Sequence, residues 1–393
     1  MRRLVFLSAF AVALACGCAP AFARQTTHGA QAGYQIRDIR GSVPVPTPAR
    51  LRIVAEVGNI NLTASSGDTL TYRVELRLRG GAGARAALDN WPVSVRRSGD
   101  LILVSAAGVP EGRRGSARID VAVPSAVRQT RVHTAVGNVS ASGLAGSLVA
   151  QSAAGNIDAD AIAGAAQIET AAGNVSLGRI GGPVHASTAG GNIRLASAGG
   201  DATLESQGGD LTVLQAAGGL HLVTAGGSIR VGSAAGDVVA ETEGGNINLG
   251  AIAGRVRSQT SGGNIEVASS AAAECQTGGG SLRLRQVAGP VEASTAAGAI
   301  FARITATSAT FGDSLLRSGV GDITVFLPPG LPVTVSADLS DALGHHLSSD
   351  FAALEQAAHW QGGSLVVRAP LSGGGPVLRL ISSSSNISVR KEH

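Results

Sequence analysis

Lysine is almost missing from this 393-residue chain: Lys391 is the only one, and arginine carries the rest of the positive charge. The formal net charge is +4, and it drops further once Arg2 and Arg3 at the extreme N-terminus are set aside. No basic stripe with interleaved aromatics runs along the chain, so the electrostatic footprint of a nucleic-acid binder is absent. Aromatic residues are scarce at 3%, whereas hydrophobic residues reach 44%, so any core must be built from Ala, Val, Ile and Leu. Of three cysteines, Cys16 and Cys18 lie in the first segment, which leaves Cys275 with no intrachain partner downstream. Downstream of that segment no apolar run is long enough to span a bilayer. The chain does hold 55 glycines. They follow no strict G-X-Y period, which excludes collagen and points to repeated tight turns.

The N-terminus reads as a secretory signal over residues 1–23. Arg2 and Arg3 are the positive region, residues 4–15 the apolar region, and Ala21-Phe22-Ala23 an A-x-A cleavage site. Cleavage after Ala23 is the expectation, with lipoprotein processing at Cys16 or Cys18 as the alternative. Either way the chain is expected to be exported, as a periplasmic, cell-surface or extracellular protein with no transmembrane segment in its mature form.

The middle of the chain is a tandem array. Gly137, Gly155, Gly173, Gly191, Gly209, Gly227, Gly245 and Gly263 are spaced by 18 residues, then Gly280 follows after 17 and Gly298 after 18. A second glycine series lies halfway between, so each repeat holds two units of nine. In Val184-His185-Ala186-Ser187-Thr188 the apolar positions alternate with polar ones, and Arg194 splits Ile193 from Leu195. Period-two patterning between turn residues predicts short strands. Stacking the copies gives columns. The Ile193 column never admits a polar residue and points inward, whereas the Arg194 column mixes Ser, Asp, Thr, Arg and Glu and points to water. The predicted fold is all-β: a single-stranded parallel β-helix or solenoid with about 18 residues per coil. An antiparallel meander is the competing geometry.

Two polar columns are read as structural. Asn138, Asn156, Asn174, Asn192, Asn246 and Asn264 each follow a glycine of the first series, where Asn tolerates left-handed backbone and bonds nearby amides. Thr134, Ser152, Thr170, Thr188, Ser206, Thr224, Thr242, Thr260, Thr277 and Thr295 lie on the inward side at strand ends and are expected to bond turn backbone. An ice-binding face would need a flat, outward, doubled Thr array. Cys275 takes an inward apolar position and is expected to be a buried, inert thiol.

The flanks divide the chain further. Residues 24–50 contain Val43-Pro44-Val45-Pro46-Thr47-Pro48 and read as an extended linker. Residues 51–130 read as an N-terminal β cap, 131–304 as the regular repeats and 305–393 as a C-terminal β cap. Caps are expected because a bare end of stacked strands invites edge-to-edge association.

The search for chemistry yields little. Glu169, Glu205 and Glu241 share an outward column but alternate with Ser187 and Val223, two coils or roughly 10 Å apart. They read as a solvated face. A calcium-binding nonapeptide ladder would need Asp at every turn, yet the corresponding place is mostly Asn, with Asp at Asp210, Asp237 and Asp322. His345, His346, Asp350 and His359 could supply metal ligands but lie without helical i,i+4 spacing. No G-x-S-x-G, H-E-x-x-H or phosphate loop is present, and no catalytic residue, cofactor or metal is assigned.

The lead-in Ile119-Asp120-Val121-Ala122-Val123-Pro124, the run Val132-His133-Thr134-Ala135-Val136-Gly137-Asn138-Val139, the repeated T-x-x-G-N-I coils and the late Gly321-Asp322-Ile323-Thr324-Val325-Phe326-Leu327-Pro328 together resemble the bacterial putative-adhesin family of Gly-rich β-solenoids. The resemblance covers roughly residues 51–389. It implies an exported, non-enzymatic protein, with adhesion inferred from the fold. The expectation is an adhesin or cell-envelope structural or binding module whose partner the sequence does not name, the candidates being an envelope component, a glycan, a protein surface or another copy of the chain. The alternatives carried from the residues are a glycan-active β-helix enzyme, lyase or hydrolase, and an end-to-end self-assembling scaffold.

Overall fold

The computed structural model describes residues 24–340 and 344–392. The secretory-signal assignment, with Cys16, Cys18 and Ala23, lies outside the described residues.

The alternating sequence forms strands whose inward residues are buried and whose outward residues are not. In Val184–Thr188, for example, Val184, Ala186 and Thr188 are buried and His185 is exposed. These strands assemble into two parallel ladders that the chain visits in turn. In one, Val139–Ser142 pairs with Ile157–Asp160, which pairs with Val175–Ile180, then Ile193–Ala198, and so on to Ile300–Ile304. In the other, Val127–Val136 leads through Ser147–Ala154, Ala166–Thr170 and Val184–Thr188 to Val291–Ala297. Parallel pairing requires a crossover between neighbours, and here the crossover is the strand of the opposite ladder. Register follows the repeat: Ile157 faces Val175, which faces Ile193, which faces Leu211. The parallel offset rules out a meander. At the one-residue deletion Arg255–Thr260 still pairs with Ala272–Thr277, placing Cys275 beside Ser258. The inward columns of both ladders merge into one core of Ile, Leu, Val and Ala.

The ladders outrun the period. The long strand Ala49–Ser65 contributes to both of them: Ile53 faces Val132 in one and Ile60 faces Val139 in the other. Gly58-Asn59-Ile60 is thus the turn of a coil stacked directly below the first regular one, although the intervening chain is excursion. The far end repeats the arrangement. Ile300 faces Ile323, and Ile323 faces Ile387, so the closing Asn386-Ile387-Ser388-Val389 segment is the next coil in space.

The excursions supply antiparallel strands at each end. At the first end, Arg24–Gln31, Tyr34–Pro44, Thr69–Arg79 and Gly115–Pro124 pair in succession, and Val93–Ser98 pairs with Leu101–Ala106. The helix Ala84–Asp89 packs on this sheet, with Leu88 and the following Trp91 buried. At the other end, Val333–Leu339, Ser364–Leu371 and His359–Gln361 are antiparallel, and the helix Ala352–Gln356 packs against them through Leu354.

One expectation is revised. Much of residues 24–50 is not a free linker: Tyr34–Pro44 pairs along its whole length with Thr69–Arg79. Its inward residues Ile39 and Val43 are fully buried. The alternation was hidden because the outward face is charged. Asp38, itself buried, accepts from Arg40 Nη2 at 2.9 Å and from Arg73 Nε at 2.9 Å, and Arg73 Nη2 also donates to Glu75 at 3.0 Å. Polar side chains paired across strands substitute here for the apolar signal.

Candidate functional site

The polar columns become hydrogen-bonded ladders. The backbone N–H of Asn156 donates to Oδ1 of Asn138 at 2.8 Å, that of Asn174 to Asn156 at 2.8 Å, and that of Asn192 to Asn174 at 2.9 Å. The chain of bonds passes through Asp210 and Ser228, reaches Asn246 and continues to Asn264 and Ser281. The same bond spans both excursions: the Asn138 N–H donates to Asn59 Oδ1 at 2.9 Å and the Asn386 N–H to Asp322 Oδ1 at 3.0 Å. Asn therefore serves by satisfying the amide of the next coil. The left-handed tolerance expected for it is not used, since none of these Asn residues has positive φ.

The hydroxyl column is inward and buried, as its alternation implied. Thr224 Oγ1 donates to the carbonyl of Gly209 in the preceding coil at 2.8 Å and accepts the amide of Gly227 in its own turn at 3.3 Å. Thr188, Ser206, Thr242, Thr260 and Thr277 do the same. These turns enclose backbone groups that would otherwise be orphaned.

The glycines that precede the Asn residues are required by packing. A Cβ placed on Gly155, Gly173, Gly191, Gly245 or Gly263 would fall on the carbonyl of the equivalent glycine one coil earlier. Only Gly137 and Gly321 of this series also have positive φ, at 150° and 140°.

Outside this framework lies an extended concavity along the repeats. A groove of about 920 Å³ runs across successive coils beside the Thr column. One wall is the outward column His133, Gln151, Glu169, Ser187, Glu205, Val223, Glu241 and Gln259, whose members face one another in register. The other wall is the turn column that includes Ala153, Ala171, Ala189, Gln207, Ala225 and Glu243. A second hollow of about 430 Å³ continues the same columns through Gln276 and Ser294 to Arg317. Glu169, Glu205 and Glu243 are exposed and Glu241 is half-buried. No Lys or Arg lines the larger groove. Gln151 Nε2 donates to Glu169 Oε2 at 3.0 Å, the one bond between neighbouring side chains of this wall. Sequence reasoning found Glu169, Glu205 and Glu241 but missed Glu243 and Gln207. Their column is mostly Ala and reads as turn filler; its 18-residue period was the available signal.

The remaining candidates resolve into structure. Asp210, Asp237 and Asp322 each accept a backbone N–H of the next coil. Among the described residues, no three His, Cys, Asp or Glu side chains are grouped to hold a metal. Of the histidine segment, His346 is held through its backbone N–H by Asn386 and His359 bonds the Ala357 carbonyl, while Asp350 is engaged by Arg390 at 2.9 Å. Cys275 is free and buried, 3.2 Å from the Ser258 hydroxyl, and burial pushes its thiol up to about 12. No helix among the described residues is long and apolar enough to cross a membrane.

No protein-family model matches the chain, and neither does any curated protein. Solved structures that align with it include two named for adhesion. One is a putative cell adhesion protein from Clostridium sporogenes, 9% identical over 95% of this chain and 100% of that chain, with a TM-score of 0.17. Another is a putative adhesin from Bacteroides fragilis, 12% identical over 90% and 97%, with a TM-score of 0.22. A putative lipid-binding protein from Parabacteroides distasonis aligns at 12% identity over 73% and 96%, with a TM-score of 0.23. The sequence resemblance and the first two of these neighbours share the adhesion name, and at such identities and TM-scores the likeness carries no functional argument.

Proposed function

We propose that the chain is an exported, non-catalytic β-solenoid that acts as an adhesin or envelope-binding module, with residues 131–304 as the working repeats and the flanking strands as caps. The supporting observation is the groove: an open surface written by regular side-chain columns, with no loop inserted across it. A β-helical glycan-cleaving enzyme would need an acid and a base or nucleophile converging on one bond. Along the wall, Ser187 separates Glu169 from Glu205 and Val223 separates Glu205 from Glu241. Export follows from the secretory signal read in residues 1–23. End-to-end assembly is disfavoured at three outermost strands, although a fourth, Arg24–Gln31, is eight residues long and among the described residues pairs only with Tyr34–Pro44. Leu347–Ser349 and His359–Gln361 are three residues long, and Val93–Ser98 carries Arg96 and Arg97, features that blunt a sheet edge.

The test is incubation of the purified chain with a panel of bacterial and plant polysaccharides, followed by detection of new chain ends. The reading expects no turnover. Turnover that disappears in Glu205→Gln or Glu241→Gln would overturn it in favour of the enzyme.

A further inference from the structure

The groove has a sign, a period and a shape, and together they select a ligand. Its sign is negative: Glu169, Glu205, Glu241 and Glu243 line it without a Lys or Arg. Its period is two coils, because Glu169, Glu205 and Glu241 occupy alternate rungs of one parallel ladder. Neighbouring strands stand about 4.8 Å apart, so the carboxylates recur about every 9.6 Å and the three span about 19 Å. Its shape is long and narrow, with small residues such as Ala171, Ala189 and Ala225 along the turn wall.

An extended polypeptide meets that period in only one regular conformation. A β-strand turns successive side chains to opposite faces, so same-face residues recur about every 6.7 Å, out of step with the carboxylates. Polyproline II has three residues per turn and a rise of about 3.1 Å, so every third side chain returns to the same face after about 9.3 Å. Six residues of polyproline II advance about 18.6 Å, less than an ångström short of the three-carboxylate span. The groove also has no Phe, Tyr or Trp among its lining residues, so it lacks the usual platform for stacking sugar rings.

The geometry points to a cationic polypeptide segment in polyproline II conformation, with Lys or Arg at every third position, as the ligand of this groove. The inference rests on the binding-module reading above and specifies its partner. The small turn wall accommodates the two residues between successive cations, and the alternate rungs Ser187 and Val223 leave room between the ion pairs. Affinity comes from several solvent-exposed pairs acting together, so it is modest and falls as salt screens them. The unbroken register of the ladder suits a ligand whose conformation is already extended before binding.

The experiment is fluorescence anisotropy with labelled synthetic peptides at low ionic strength. The probes are (Lys-Pro-Pro) repeats, a peptide of the same composition with Lys at irregular spacing, and (Glu-Pro-Pro) repeats. The regular cationic peptide is expected to bind, the irregular one several-fold more weakly, and the acidic one not at all. The triple variant Glu169→Gln, Glu205→Gln, Glu241→Gln is expected to bind about tenfold more weakly, from the worth of three exposed ion pairs. Glu274→Gln with Glu292→Gln, in the outward column off the groove, is expected to leave binding unchanged. Equal binding of regular and irregular peptides, no loss in the triple variant, or tighter binding of an amine-bearing glycan than of the peptide would overturn the assignment. Circular dichroism of each variant separates loss of binding from loss of fold. Absence of peptide binding together with absence of polysaccharide turnover removes this ligand and leaves the non-catalytic reading standing, whereas cleavage of a polymer defeats that reading itself.

Discussion

Adjacent glycines in one turn do different work, and the difference is measurable. In Ala189-Gly190-Gly191-Asn192 a Cβ on Gly190 meets nothing within 4 Å, while one on Gly191 meets the carbonyl of Gly173. The same steric demand falls on Gly209. Gly209→Ala is expected to cost at least about 2 kcal/mol, because the clashing atom is backbone that cannot swing aside. Gly190→Ala is expected to be neutral or to stabilise by up to about 1 kcal/mol through the unfolded chain. Denaturant midpoints of the two variants check both. Thr224 gives a second contrast. Thr224→Val keeps the shape but strands the Gly209 carbonyl and the Gly227 amide, for an expected loss of about 2 kcal/mol. Thr224→Ser should keep most of the stability, as Ser206 does naturally at the equivalent position. These columns were plainly legible in the sequence as an 18-residue period. What could not be read was the reason for each residue. A glycine needed for close approach looks the same on paper as one needed for φ, and Asn that bonds the next coil looks the same as Asn in a left-handed turn.

At the scale of elements, the strands that begin and end the ladders depend on charge more than the repeats do. Burial of Asp38 would by itself raise its pKa, but hydrogen bonds from Arg40 and Arg73 outweigh that and hold it below the ordinary carboxylate value. The folded state therefore binds this proton less readily than the unfolded chain, whose Asp titrates near about 3.9. The stabilisation is present above that pH and is lost as pH falls through the lower folded value. Asp38→Asn is expected to destabilise the N-terminal sheet by about 1 kcal/mol at pH 7, a modest figure because its arginine partners are largely in water. The deficit should shrink as pH falls through the lowered folded value of Asp38, which urea unfolding at pH 7 and across the acid range would show. This charged pairing is also why Tyr34–Pro44 was read as linker. A strand whose outward positions carry Asp38 and Arg40, whose Ile39–Val43 face also carries Arg37, and which ends in a Pro-rich run, gives weak alternation. Only its partner Thr69–Arg79 reveals that it is paired.

Across the whole molecule, the period of the sequence is a record of vertical stacking. Coils far apart in sequence stack as closely as successive ones, provided they carry the same turn motif. Gly58-Asn59-Ile60 and Asn386-Ile387 both carry that motif in the sequence. That the ladders run through them could not be read from the period, because an excursion of any length is compatible with the same register. The groove was half-legible for a related reason: its carboxylate column stood out, but its second wall belongs to turns. Equivalent residues of successive coils thus lie one strand spacing apart in the same ladder. Spin labels at Asp158 and Arg283, in a chain whose three native cysteines are replaced, test it directly. These exposed positions lie in one outward column, linked by the unbroken pairings through Ser176, Arg194, Thr212, Arg230, Asn248 and Glu266. Seven strand spacings give an expected separation of about 34 Å by pulsed electron paramagnetic resonance. A meander would interleave the strands of both ladders in one sheet, and a separation of about 67 Å would contradict the account.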